Sequence, residues 1–114
     1  MEMTFEIKGP ITAERAQAAA EWLVDNAAVI AELKGERDRA EYMVKRAEAI
    51  EFDLAEGSAE ARRQAAKASD YHLDAVNKHI AAVVAHERAM GTRKAAETLI
   101  ELFRSLNANL RRAP

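Results

Sequence analysis

The sequence contains no cysteine. Disulfides and thiolate metal sites are therefore excluded, and cysteine usage says nothing about redox compartment. Two prolines and four glycines among 114 residues are too few for an all-β chain built from tight turns. Aromatic residues make up only 5%, so large core side chains must come from elsewhere. No apolar run approaches the ~20 residues that span a bilayer. The opening residues MEMTFEIKGP are acidic where a secretory leader is basic, and they lack its apolar stretch. The expectation is a soluble, cytoplasmic protein with no membrane partner. A large excess of either charge is missing too: the formal balance is −2, which gives no whole-molecule field favouring DNA or an anionic surface.

What remains is the composition of long helices. Apolar residues are 49% and charged residues 32%, with alanine, glutamate, arginine and leucine prominent. The length fits one domain, read here as an N-terminal arm over 1–12 and a helical domain over 13–114. Residues 4–8, Thr-Phe-Glu-Ile-Lys, alternate apolar and polar as a short strand does. One strand cannot pair with itself, so this is either a loose, flexible arm or an edge that pairs with another chain. Gly9-Pro10 ends it. Thr12 then suits an N-cap and Glu14 the first turn of a helix.

From Trp22 the spacing alternates three and four: Trp22, Asn26, Val29, Leu33, Glu36, Ala40, Met43, Ala47, Ile50, Leu54. Eight of these ten are apolar, which predicts a heptad seam on a helix running from about 13 to 56, ~65 Å long at 1.5 Å per residue. Gly57 suits the left-handed position that closes this helix, and Ser58 caps the next. Ser69 or Asp70 can start a fresh helix, leaving a short third helix at the turn. From Tyr71 onward Leu73, Val76, Ile80, Val83 and Met90 follow one heptad register. Gly91, Ala95, Leu99, Leu102, Leu106 and Leu110 follow another. The slip falls where Glu87 and Lys94 would otherwise enter the seam. The fold class predicted is all-α, a long antiparallel helical hairpin.

Leu23, Ile30 and Val44 widen the first seam, and Val84, Ile100 and Phe103 the last. A face this wide exceeds what one partner helix covers. The expectation is a homo-oligomer joined through coiled-coil-like seams at Trp22, Val29, Leu33, Met43, Ile50, Ile80, Val83, Leu99, Leu102 and Leu106. The alternative is a compact monomer of three or four helices folded at Gly35, Gly57 and Ser69.

Little in the sequence suggests catalysis. His72, His79 and His86 lie seven apart, so neighbours on one helix are ~10.5 Å from each other, too far to share a metal. No Glu-x-x-His pair and no glycine-rich phosphate loop is present. The expectation is a protein that is not an enzyme and holds no cofactor or metal. Basic residues are more suggestive. Arg37, Lys45 and Arg46 lie late on the first helix, and Arg62, Arg63 and Lys67 lie just past the turn. An antiparallel return can gather Lys45, Arg46, Arg62, Arg63 and Lys67 at one end, with Tyr42 nearby to stack on a base. The alternative is that these cations form ordinary i, i+4 pairs on a solvated face.

Glu21-Trp22-Leu23, the charged run from Lys34 to Arg46, the Gly57 turn, Tyr71 and Phe103-Arg104-Ser105 together resemble the UvsY-type recombination mediators of tailed phages. The resemblance spans most of the chain, without a sharp motif. It implies a helical hairpin that forms a ring-like oligomer, binds single-stranded DNA and helps a recombinase displace single-strand-binding protein. The family's basic pair corresponds to Lys45 and Arg46. Here the two adjoin, whereas the family leaves one residue between them. The expected function is thus a phage-type DNA-recombination accessory protein, with a recombinase or single-strand-binding protein as further partner. The rival expectation is a non-enzymatic adaptor or inhibitor that grips another protein through an apolar helical face.

Overall fold

A computed structural model describes residues 5–112, and these are all-α. Helix α1 spans Ala13–Leu54, α2 spans Ala59–Ala68 and α3 spans Asp70–Arg112. The two long helices and the short one at the turn follow the predicted order. Thr4 and the residues before it lie outside the described residues. Phe5–Lys8 carry the predicted strand pattern but form no strand.

The helix starts and the turn between the long helices have identifiable causes. Thr12 Oγ1 accepts from the Arg15 N–H at 3.2 Å, satisfying one of the donors a first turn leaves free. Gly57 sits at φ 108°, a backbone region open to glycine and costly for other residues. Helix α1 ends three residues earlier, at Leu54, so Gly57 turns the link into α2 and does not itself close α1 as expected. Ser58 then caps α2, its Oγ accepting from the Ala61 N–H at 3.2 Å. Ser69 serves two helices at once. Its hydroxyl donates to the Ala66 carbonyl at 2.8 Å and accepts from the His72 N–H at 3.1 Å. The weak break suspected at Ser69-Asp70 is therefore a true one: Ser69 has extended backbone at φ −70°, ψ 148°.

The chain divides into two compact units. One joins the chain through Ile30 to the part from Glu87 onward. There Ala16, Ala19, Ala96 and Leu99 form a buried cluster, flanked by Phe5, Trp22, Leu23, Ile100 and Phe103. Phe5 meets Trp22 edge-on, with centroids 6.0 Å apart and planes at 82°. Arg15 fastens the described part of the arm: its guanidinium donates to the carbonyls of Lys8 at 2.9 Å, Pro10 at 2.6 Å and Glu6. The other unit is Ala31–His86. Its fully covered residues are Ala47 and Ala66, with Ala75 close behind at 9% exposed.

The inward face of α1 differs from the predicted seam by one residue on one side. Ala16, Ala19, Leu23, Asn26, Ile30, Leu33, Arg37, Ala40, Val44, Ala47 and Glu51 are all buried or half-buried. Asn26, Leu33, Ala40 and Ala47 belong to both lines. Val29, Glu36, Met43 and Ile50, read as seam, are exposed, and Leu23, Ile30 and Val44, read as seam flanks, face inward. On α3 one inward line runs through, but it is interrupted near the predicted slip, where Thr92, Ala95 and Leu99 beside it are buried or half-buried. His72, Ala75, His79, Ala82, His86, Ala89, Ala96, Ile100, Phe103 and Asn107 keep one three–four spacing, with exposed Arg93 filling the remaining place. Leu73 and Ile80, placed in the predicted seam, are each 54% exposed. The reason lies in packing. Alanines let two helices approach closely, so small residues sit at the contact and larger ones are displaced to its margins.

Candidate functional site

The packing leaves few large side chains fully covered. Leu99 is the only large side chain among the described residues that is fully buried, at 1% exposed. Meanwhile Val29, Met43, Ile50, Tyr71, Leu73, Ile80, Val84, Leu102 and Leu106 are all at least 37% exposed. Single exposed apolar residues are ordinary, but this many large apolar residues at the surface leaves room for a partner.

The predicted interface residues therefore separate into three groups. Val29, Met43, Ile50, Ile80, Leu102 and Leu106 are exposed and available. Trp22, Leu33 and Val83 are half-buried, Trp22 against Phe5. Leu99 is covered by its own chain, so it cannot contact a second copy. Leu73, one heptad before Ile80 in the predicted seam, is likewise exposed, at 54%.

In the Ala31–His86 unit, a groove of about 320 Å³ runs between α1 and α3. Ala40, Met43, Tyr71 and Ala75 give it apolar walls, while Glu36, Arg39, Asp74 and Lys78 edge it. Lys78 donates to Asp74 at 2.9 Å. That hydrogen bond, reinforced by the carboxylate's charge, raises the Lys78 pKa above the ordinary lysine value.

The candidate nucleic-acid residues also separate. Arg62 is half-buried. Its Nε donates to the Phe52 carbonyl at 3.1 Å, and its guanidinium lies 4.3 Å from the centroid of the Phe52 ring. It ties the start of α2 back to the end of α1. Arg63 pairs with Glu60 at 3.4 Å in an exposed i, i+3 bridge. Arg37 is half-buried and within 3.2 Å of His86 Nδ1. Lys45, Arg46 and Lys67 are exposed, with no side-chain hydrogen bond or ion pair among the described residues. Tyr42 is 60% exposed and stands three residues before Lys45 and four before Arg46, on the same side of α1. Between residues 45 and 72 five basic side chains are set against six acidic ones: Glu48, Glu51, Asp53, Glu56, Glu60 and Asp70. That end of the unit has no net positive charge.

The three histidines lie on the inward side of α3, each half-buried. Arginine only donates, so His86 Nδ1 accepts from Arg37, which places its ring proton on Nε2. His72 Nδ1 faces the Lys67 carbonyl at 3.3 Å and must donate, so it holds its proton on Nδ1. No group of three or more potential metal ligands gathers among the described residues, and none of their helices is long and apolar enough to cross a membrane.

No protein-family model, curated protein or solved structure matches this chain. The functional reading must rest on the surfaces themselves.

Proposed function

We propose that this protein is a non-enzymatic helical interaction module that works by self-association through the large apolar residues outside its alanine-lined contact. One observation carries the reading: among the described residues Leu99 alone of the large side chains is fully buried, while Val29, Met43, Ile50, Ile80, Leu102 and Leu106 face water. Burying such residues stabilises association by about 25 cal/mol per Å² of apolar surface removed from water. Sedimentation velocity over a hundredfold concentration range tests it. The expected result is a rise in mass with concentration. A constant monomer mass would refute the proposal.

A second reading is that the module binds single-stranded DNA as a recombination accessory protein. Lys45, Arg46 and Lys67 support it, because they lie exposed and unpaired among the described residues, with Tyr42 beside the first two. Such contacts tether phosphate without reading sequence. Fluorescence anisotropy of a labelled mixed-sequence oligonucleotide, titrated at several salt concentrations, tests this reading. Binding that weakens steeply with salt supports it, and absence of binding at low salt refutes it.

A further inference from the structure

The outer line of α1 next to its inward face carries a charge order of its own. Read from the N-terminal side it runs Asp25, Val29, Glu32, Glu36, then Arg39, Met43, Arg46, Ile50. Acid occupies the first half and base the second, with apolar residues in both. The spacing alternates four and three, as a second heptad seam requires. All eight are exposed.

None of these five charged side chains forms a hydrogen bond or ion pair among the described residues. Several charges elsewhere do find partners on their own helix: Lys34 with Asp38, Lys78 with Asp74, Arg93 with Glu97 and Arg104 with Glu101. Glu32 and Glu36 instead place like charges at i, i+4, which is unfavourable on an isolated helix. The middle of the line, Glu36, Arg39 and Met43, forms the α1 wall of the groove in the Ala31–His86 unit.

Resting on the self-association reading, we infer that this line is a two-fold interface: α1 of a second copy lies antiparallel along it, with the axis passing between Glu36 and Arg39. Glu36 of each copy then faces Arg39 of the other. Glu32 comes within one helical turn of the partner's Arg46, and Val29 sits between the partner's Met43 and Ile50. The same patch meets itself, as a two-fold contact demands. A parallel arrangement sets acid on acid and base on base, which opposes association.

The test has two parts, both on the full chain. The first is charge exchange. Arg39→Glu with Arg46→Glu makes the line wholly acidic. Glu32→Lys with Glu36→Lys makes all but Asp25 basic. Each variant alone is expected to dimerise roughly a hundredfold more weakly, and an equal mixture is expected to recover the wild-type mass. The second part is orientation. The chain has no cysteine, so a single introduced one carries a unique spin label. Gly35→Cys is accommodated, since a Cβ there meets nothing within 4 Å. Labels at Gly35→Cys are expected within ~20 Å of each other, and labels at Glu21→Cys ~50 Å apart, from the rise of 1.5 Å per residue about the proposed axis. Short distances at both sites mean a parallel dimer and overturn the inference. So does an oligomer whose mass the charge reversals leave unchanged, because association then uses another face and the self-association reading stands without this one. A wild type that stays monomeric at every concentration removes both.

Discussion

Replacing Leu99 by alanine tests the inside-outside assignment most directly. Leu99 is 1% exposed and lies among Ala16, Ala19 and Ala96. Removing a fully buried leucine side chain costs ~2.7–5 kcal/mol, and the cost rises with the volume left empty. The cluster's small residues stand on helical backbone and have no long side chains to swing into the gap. The expected loss is therefore ~3–4 kcal/mol. For 114 residues the whole stability is ~6–17 kcal/mol at typical values per residue, so this one change removes a large share of it. Leu106 is the control. It is already 46% exposed, and Leu106→Ala forfeits roughly half the transfer free energy with little cavity, ~1 kcal/mol. Urea denaturation followed by circular dichroism, at a protein concentration where the chain is monomeric, measures both. Equal losses for the two variants would refute the reasoning, because they would mean that Leu106 is as covered as Leu99 within a single chain.

Four further outcomes follow from the geometry. Gly57→Ala forces a Cβ onto φ 108°, 3.4 Å from the Ala61 methyl, and is expected to cost ~1–3 kcal/mol in the same denaturation assay. Arg62→Lys loses both the bond to the Phe52 carbonyl and the planar contact with its ring; faster hydrogen exchange at the Ala61 and Arg62 amides, with helix content unchanged, is the expected signature. Lys45→Glu with Lys67→Glu should weaken single-stranded DNA binding while leaving the oligomer mass alone, and unaltered anisotropy would clear these residues of that role. Lys78 has a pKa raised by its bond to Asp74, so its contribution to folding is present below the ordinary lysine range and is lost as pH rises through the raised value. Asp74→Asn should return the Lys78 titration, followed by NMR, to the ordinary lysine position.

Sequence reasoning recovered the helices because their boundaries are written in local chemistry. Thr12, Ser58 and Ser69 each satisfy a helix end through their own side chain, and Gly57 supplies the turn between α1 and α2, and such signals need no tertiary context. The face of contact was less legible. A heptad search weights large apolar residues, so it chose Val29, Met43 and Ile50 over Ile30, Val44 and the intervening alanines. Alanine carries little hydrophobic signal, yet its size decides how closely two helices can lie. The same bias left out His72, His79 and His86, which lie on the inward line of α3 and which a hydrophobicity pattern passes over. Arg62 looked like a surface cation because nothing in its neighbourhood reveals that the turn brings it onto Phe52, ten positions earlier. Tyr42, Lys45 and Arg46 were legible as a group because they share one helix face.

The clamp made by Arg15 holds main chain, not side chains. Its guanidinium takes the carbonyl oxygens of Glu6, Lys8 and Pro10, which every amino acid supplies. The fastening is therefore blind to what residues 6 and 8 are, and is written almost wholly into position 15. Foreign side chains installed at those two places would leave these contacts intact, whereas a lysine at position 15, with one nitrogen and no rigid fork, would give them up and leave Phe5 against Trp22 as the arm's hold. The arm is in this sense a mount whose lock lies on the helix and whose contents are interchangeable.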